Sequence, residues 1–363
     1  MTERVFNFSA GPATLPLPVL EQIQDEFLDF QGLGASIIEI SHRSREFDQV
    51  IDQTDALIRE LTGLPRQYRM LYVAGGARMQ FSAVPMNFAM RLPERKAAYF
   101  ETGLFSRYAQ EEAQRYCQVT VCASGERSGF SEIPSFDSAT LDQRHSYAHI
   151  TSNNTLFGTR WHEFPDTGSV PLIVDATSDI FSRVIDYSQI GGIYAGLQKN
   201  LGPAGLALVI IREDLLGHAL PETPTQLNYL VHAQTHSMAN TINTFAVYTM
   251  KLVLEWMKEQ GGIAALEKVN EEKATKLYAA LDASDFYLGV AHPNSRSAMN
   301  VCFHLAKPEL LPTFIEEARQ QGLYGLRGHG FVGGARASIY NAMPLEGVMA
   351  LIAFMREFER RYG

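Results

Sequence analysis

The chain has 363 residues, 46% hydrophobic and 20% charged, with a formal net charge of −9: room for one large globular domain and a smaller companion. The negative charge lies in no long block, which excludes a polybasic nucleic-acid or membrane-anchoring surface. No stretch reaches the ~20 apolar residues of a membrane span, and the opening MTERVFNFSAGPATLP has no apolar signal core, so a cytoplasmic protein is expected.

Glu46 to Leu61 sets Phe47, Val50, Ile51, Thr54, Leu57, Ile58 and Leu61 at helical spacing, which predicts an amphipathic helix. Met70 to Ala74 reads as a short strand stopping at Gly75-Gly76, with a helix after it. Ala97 to Phe100, Gln118 to Cys122, Tyr147 to Thr151 and Pro171 to Val174 repeat the strand pattern. Helical segments fall between several of them, notably Phe105 to Tyr116, and Leu206 to Ile211 is a further apolar strand. Strands alternating with helices predict an α/β fold whose mostly parallel sheet is covered on both faces. After about residue 212 the pattern changes. Thr244 to Lys258 and Ile263 to Ala283 read as long helices separated by Gly261-Gly262. A smaller α+β region follows, with a strand near Met299 to His304 and helices near Glu309 to Gln321 and Leu345 to Tyr362. The boundary is placed in the second long helix, giving a large domain over 16–267 and a small C-terminal domain over 268–363.

The three cysteines, Cys117, Cys122 and Cys302, are widely spaced and read as reduced thiols. Lys199, in YAGLQKNLGPAGLALVII, lies between apolar strand segments and a Gly202-Pro203-Gly205 turn, an odd place for a solvated cation. A desolvated lysine loses its proton readily, which suits Schiff-base chemistry. Asp175, upstream in PLIVDATSDI, stands where a pyridoxal phosphate site needs a carboxylate to keep the pyridine nitrogen protonated. On this segment alone, a surface loop lysine is the competing reading.

Tyr72 to Arg78 is a strand, a small-residue turn and a helix start, the pattern of a phosphate cradle. Gly328-His329-Gly330-Phe331-Val332-Gly333 matches G-x-G-x-x-G literally, yet ARASIYN after it reads as a strand. A dinucleotide site needs a helix there. Arg43 and Arg336 sit beside apolar or glycine segments and offer forks for carboxylate or phosphate, with surface ion pairing an equal alternative. His145/His149 and His232/His236 have a spacing that zinc could use. Neither pair carries the H-E-x-x-H glutamate, so structural or solvent-facing histidines and no metal are expected.

FNFSAGPATLP, ISHRSREF, YAGLQKNLGPAG, SMANTINTF and VGGARASIYNAMPLEGV together resemble, nearly end to end, the phosphoserine aminotransferases of the class V aminotransferase family. The resemblance implies the aspartate-aminotransferase-like, fold type I architecture of pyridoxal phosphate (PLP) enzymes: a large domain with a mostly parallel mixed sheet and a smaller α+β C-terminal domain, with residues 1–15 packed against the latter. It further implies pyridoxal 5′-phosphate as cofactor and a homodimer with shared active sites. The implied reaction transfers an amino group between glutamate and 3-phosphohydroxypyruvate in serine biosynthesis, with the 4-phosphohydroxythreonine step of vitamin B6 synthesis as a second use.

Carried onto this sequence, the resemblance makes Lys199 the cofactor anchor and proton carrier and Asp175 the partner of the ring nitrogen. Ala77, Arg78 and Gln198 would cradle the phosphate, which Asn240 and Thr241 would reach from the neighbouring subunit. Thr155 would contact the ring hydroxyl region and Phe105 would stack on the ring. His42 and Arg43 would bind the distal phosphate or carboxylate of the substrate across the interface. His329 would join them in substrate binding, and Arg336 would clamp the α-carboxylate. The chain departs from the family at Phe105, often Trp there, at Ala77, usually Gly, and at Gly330, usually Arg, although Arg327 stands close by. Three alternatives compete: a related PLP transaminase of another small amino acid, a cysteine-desulfurase-like lyase, and a catalytically silent PLP-fold binding protein. A desulfurase needs a reactive cysteine on a flexible loop, whereas Cys117 and Cys122 flank a strand and Cys302 lies in one. A silent binder has no need of both Lys199 and Asp175.

Overall fold

Apolar strand segments separated by amphipathic helices bury most surface when the strands lie side by side and the helices cover both faces. The computed structural model, which describes residues 4–363, is built that way. Its strands are β1 (Phe6–Asn7), β2 (Tyr68–Ala74), β3 (Lys96–Glu101), β4 (Gln118–Ser124), β5 (Tyr147–Thr151), β6 (Asn153–Asn154), β7 (Thr159–Arg160), β8 (Leu172–Asp175), β9 (Gly192–Gly196), β10 (Leu206–Arg212), β11 (Tyr287–Gly289), β12 (Asn300–Leu305), β13 (Leu323–Tyr324) and β14 (Ala335–Ser338). Its α-helices are α1 (Leu17–Glu26), α2 (Arg45–Thr62), α3 (Ala77–Phe88), α4 (Leu104–Ala113), α5 (Tyr229–Gln234), α6 (Thr244–Glu259), α7 (Ile263–Asp282), α8 (Leu311–Gln320) and α9 (Leu345–Tyr362).

Seven strands form the main sheet in the order β2-β10-β9-β8-β5-β3-β4. The run from β9 to β4 is parallel, while β10 lies antiparallel to both of its neighbours. Every residue of β5, β8 and β9 is buried, as a sheet covered on both faces requires. Helix α2 shows how locally this is encoded. Ser44 caps its start by accepting from the Phe47 N–H at 3.3 Å, Gly63 ends it in the left-handed conformation, and Phe47, Val50, Ile51, Thr54, Leu57 and Ile58 face the core. Two findings differ from the periodicity. Strand β9 stands out in no apolar pattern, because Gly-Ile-Tyr-Ala-Gly draws its burial from the strands on either side. Helix α4 stops at Ala113, where the N–H groups of Tyr116 and Cys117 both turn back to the Ala113 carbonyl before β4.

A second core lies around the antiparallel sheet β11-β12-β14, with Phe303, Phe314, Phe354 and Phe358 packed among α7, α8 and α9. Helix α7 serves both cores: Ile263 and Leu266 belong to the first, Ala274, Leu277 and Leu281 to the second. Strand β1 pairs with β13, and Phe8 is buried in the second core. From there the chain crosses to the first, where the Ala13 N–H donates to the Gln198 carbonyl at 2.9 Å. Residues 1–3 of the N-terminal segment lie outside the described residues.

Lys273 of α7 is fully buried, and its ammonium donates to the carbonyls of Ile339, Tyr340 and Met343 at 3.0, 2.8 and 3.0 Å. Burial pushes its pKa down to about 7. This tie fixes the connection between β14 and α9, just beyond Arg336. Replacing Lys273 with Met strands three buried carbonyls, so stability should fall by about 3 kcal/mol. The check is a lower urea midpoint at an unchanged denaturant slope; an unshifted midpoint would show that the ammonium ties nothing.

Candidate active site

All the parallel strands end at one edge of the main sheet, and in open α/β sheets the crevice beyond the strand ends is where ligands bind. Here each chemical side chain follows the end of a different strand: Ala77 and Arg78 after β2, Phe105 after β3, Thr155 after β5, Asp175 at the end of β8, Gln198 and Lys199 after β9. They line one cavity with a volume of about 370 Å³. His329 and Arg336 close it from the second core, and Ala10 and Gly11 of the N-terminal segment complete the wall. Gly11, at φ +147°, leaves little room for a side chain: a Cβ there would lie 3.2 Å from Cγ of Lys199.

Asp175 is buried at 4% exposure. Burial raises its pKa, and three effects oppose that: the Thr177 hydroxyl and N–H, which donate to Oδ1 at 2.6 and 3.0 Å, and the positive charge of Lys199. Part of Lys199 is exposed through the cavity, yet its amine is so enclosed that burial lowers its pKa to about 8, against the pull of Asp175 and with that of Arg336. The amine donates to Thr155 Oγ1 at 2.5 Å and lies 5.8 Å from the centre of the Phe105 ring. A neutral amine is thus available near neutral pH, held between a hydroxyl and an aromatic wall.

The start of α3 supplies an anion seat. The first N–H groups of a helix have no partner within it, and the helix dipole favours negative charge there. Around this seat Gly196 leaves a hollow, since a Cβ at that position would come 3.1 Å from the Ala77 nitrogen and 2.5 Å from Gln198 Oε1. Gln198 Oε1, Thr151 Oγ1 and Arg336 Nε are all buried without a hydrogen-bond partner among the described residues. These unfilled groups surround a space with a phosphate-sized anion seat at one end, a buried carboxylate at another and an arginine fork at the mouth. The set fits pyridoxal phosphate and an amino-acid carboxylate.

Of the residues singled out from sequence, Ala77, Arg78, Phe105, Thr155, Asp175, Gln198, Lys199, His329 and Arg336 line the cavity. His42, Arg43, Asn240 and Thr241 do not. Arg43 and Thr241 are exposed, and His42 and Asn240 are half-buried. Their segments are neighbours on one surface, joined where the Thr244 hydroxyl donates to the Ile37 carbonyl at 3.1 Å. Sequence reasoning passed over Thr151, Asn153, Thr177 and Ser178, which also line the cavity. Thr177 has a readable signal, an Asp-x-Thr turn at a strand end. Thr151 has none, because it reaches the site by pairing with Asp175 across the sheet.

The model of the family described as aminotransferase class V matches residues 5–351. A phosphoserine aminotransferase of Syntrophobacter fumaroxidans is 50% identical over the full length of both chains. The structure of the phosphoserine aminotransferase from Bacillus circulans subsp. alkalophilus superposes with a TM-score of 0.96 at 43% identity, covering 100% of each chain. A PLP-bound phosphoserine aminotransferase from Trichomonas vaginalis gives 0.92 at 35% identity, over 97% of this chain and 100% of that one.

The low pKa of Lys199 has a direct readout. In dialysed protein, reductive alkylation of Lys199 by formaldehyde, followed by peptide mass spectrometry, should rise with pH around a midpoint of about 8. Ordinary solvent-exposed lysines should follow only towards about 10.4. Coincident midpoints would refute the depressed amine.

Proposed function

The chain belongs to the class V aminotransferase family, and on that premise we infer that it is a PLP-dependent phosphoserine aminotransferase. It transfers the amino group of glutamate to 3-phosphohydroxypyruvate, giving O-phosphoserine and 2-oxoglutarate in serine biosynthesis. One observation carries the reading: a single cavity unites Lys199, Asp175, the start of α3 and Arg336. When bound, PLP supplies the electron sink that makes the Cα–H bond of an amino acid breakable.

The residues of this chain do the rest. The α3 N–H groups at Ala77 and Arg78, with Gln198, would hold the cofactor phosphate. Asp175 would hold a proton on the ring nitrogen, and Phe105 would wall the ring with less area than a Trp. Arg336 grips the α-carboxylate by a two-pronged hydrogen bond and so orients the Cα–H bond. Lys199 would take the Cα proton on Nζ, for which a pKa of about 8 is well placed. Thr155 keeps that amine aimed by accepting from it. His329 meets the distal end of the substrate. A desulfurase would need an ionisable thiol, whereas burial pushes Cys302 up to about 12 and Cys117 to about 11.

His42, Arg43, Asn240 and Thr241 complete the site of a second copy, giving a homodimer. Its interface is supported by the exposed apolar Leu28 at 82% and Ile38 at 55%, on the surface that carries these residues. The 4-phosphohydroxythreonine counterpart, which is longer by one carbon, is a second substrate. A Cβ built on Gly330 meets nothing within 4 Å among the described residues, which leaves space beside His329 where the family usually has Arg. The division at 267/268, with 1–15 on the small domain, is supported by the way α7 is shared between the two cores. Among the described residues no helix is long and apolar enough to cross a membrane, and a cytoplasmic location accords with the unpaired cysteines.

Adding phosphoserine to the purified PLP-loaded protein should convert the visible absorption band, while equal unphosphorylated serine should not. An equal response to both would discard the substrate and keep the transaminase. Lys199→Ala should lower turnover by about a thousandfold or more, the scale of a lost proton-transfer group, with circular dichroism unchanged. Mixing refolded Lys199→Ala and Arg43→Ala chains, each inactive alone, should restore about a quarter of wild-type activity. Half of randomly paired dimers are hybrids, and each hybrid has one intact site of two. No recovery would place Arg43 in its own chain's site.

A further inference from the structure

Asn153 of β6 and Ser178, just past β8, line the cavity from the side of the main sheet, and Ala10 lines it from the N-terminal segment. A chain of side-chain hydrogen bonds joins these walls by way of the second sheet. Asn153 Nδ2 donates to Ser178 Oγ at 2.9 Å and to Asn300 Oδ1 at 2.8 Å. Asn300 Nδ2 donates to Ser338 Oγ at 3.0 Å and to the Tyr340 hydroxyl at 3.1 Å. The Tyr340 hydroxyl donates in turn to the Ala10 carbonyl at 2.7 Å. Asn153, Ser178, Asn300, Ser338 and Tyr340 are all buried.

Backbone groups fix the direction of this chain at both ends. A carbonyl only accepts, so Tyr340 gives its proton to Ala10 and takes its other bond on oxygen. Asn300 therefore turns its amino group to Tyr340 and its carbonyl to Asn153, which answers with its own amino group. At the other end the Ser178 hydroxyl donates to the Asn153 carbonyl at 2.8 Å, which leaves its oxygen free to accept from Asn153 Nδ2. Asn153 Oδ1 accepts from the Ser297 hydroxyl, whose oxygen takes the N–H groups of Met299 and Asn300. Turning either amide over would set like group against like. Two apolar side chains would fill the same seam with no buried polar groups to satisfy, whereas two amides fill it in one orientation only.

Register ties this chain to Arg336. Asn300 of β12 pairs with Ser338 of β14, and Cys302 pairs with Arg336. Residues two apart on a strand share a face, so Arg336 stands next to Ser338 on the face that carries the bonds. Its Nε is buried with no partner among the described residues, so the placing of its strand, rather than a bond at Nε, sets its reach over the cavity. We infer that Asn153 and Asn300 are positioning residues for Arg336: their paired amides pin the second sheet to the cavity wall and fix where the guanidinium meets the α-carboxylate of the substrate. The inference rests on the transaminase reading given above. Other ties cross the same seam. Asn341 Nδ2 donates to the Phe181 carbonyl at 3.0 Å, and its Oδ1 accepts from Asn270 at 2.8 Å. Cutting the Asn153–Asn300 bond therefore loosens Arg336 without parting the two cores.

The test uses two phosphorylated amines, phosphoserine and phosphoethanolamine, which is phosphoserine without its α-carboxylate. PLP-loaded wild type, Asn300→Leu and Tyr340→Phe, each also in an Arg336→Ala background, are assayed for kcat and KM with phosphoserine, for inhibition by phosphoethanolamine, and for PLP Kd. Asn300→Leu should lower kcat/KM for phosphoserine by about tenfold, the effect of a weakened two-pronged contact to a charged group. Inhibition by phosphoethanolamine and PLP Kd should stay within about twofold of wild type, because neither involves the α-carboxylate. Tyr340→Phe, in which Ser338 still accepts from Asn300, should lower kcat/KM in the same way by about threefold, and it decides the matter if Asn300→Leu does not fold. In the Arg336→Ala background neither change should cost anything further, because the path ends at Arg336. Wild-type kcat/KM in the folded variants overturns the inference. So does an equal loss of phosphoethanolamine or PLP binding, or an undiminished effect without Arg336, since each marks general loosening. A wild type that takes up PLP but leaves phosphoserine unconverted overturns the functional reading instead, and this inference falls with it.

Discussion

An amine and a carboxylate are carried together into a largely dry space at the edge of the main sheet, and the architecture answers to that burden. Burial disfavours the charge on both Lys199 and Asp175. Each partly restores the other, but attraction between two buried charges rarely compensates their loss of water unless further hydrogen bonds help. Thr177 supplies those bonds to the carboxylate, and Thr155 accepts from the amine. The outcome is asymmetric in a useful way. Hydrogen bonds from Thr177 oppose the rise that burial imposes on the carboxylate, while the amine is brought close to releasing its proton at ordinary pH.

Such a pair needs a rigid frame, and the frame comes from two cores meeting at the cavity. The main sheet delivers Asp175 and Lys199 from neighbouring strands. The second sheet delivers Arg336 on β14, where it pairs in register with Cys302 of β12. Helix α7 runs through both cores, and the N-terminal segment crosses between them, lining the cavity beside Lys199 with Gly11. Arg336 therefore keeps its distance from Lys199 through elements far from either residue. The second core supports the chemistry without supplying the reacting amine.

Legibility in the sequence follows the range of the interaction. Helices α6 and α9 show their limits almost to the residue, because an apolar stripe and the turns that end it are local. Strand β9 escapes notice, because two of its five residues are glycine and its burial is imposed by β8 and β10. Most of the cavity is legible through segments long enough to carry a family pattern. Thr151, Asn153 and Ser178 are not, since each matters through a neighbour on another strand or loop. His42, Arg43, Asn240 and Thr241 stand outside this chain's own cavity.

Periodicity, glycine placement and the segments around Lys199 and Asp175 determine, from sequence alone, the α/β class, the strand-end lysine and aspartate, and the family. These are statements about neighbours in the chain, or about patterns a whole family shares. Tertiary structure alone decides which oxygen of Asp175 is occupied and how far the amine of Lys199 is driven towards neutrality. Those depend on desolvation and on cross-strand register. Both arise only when segments more than a hundred residues apart along the chain, such as β3 and the strand carrying Arg336, close around the same space.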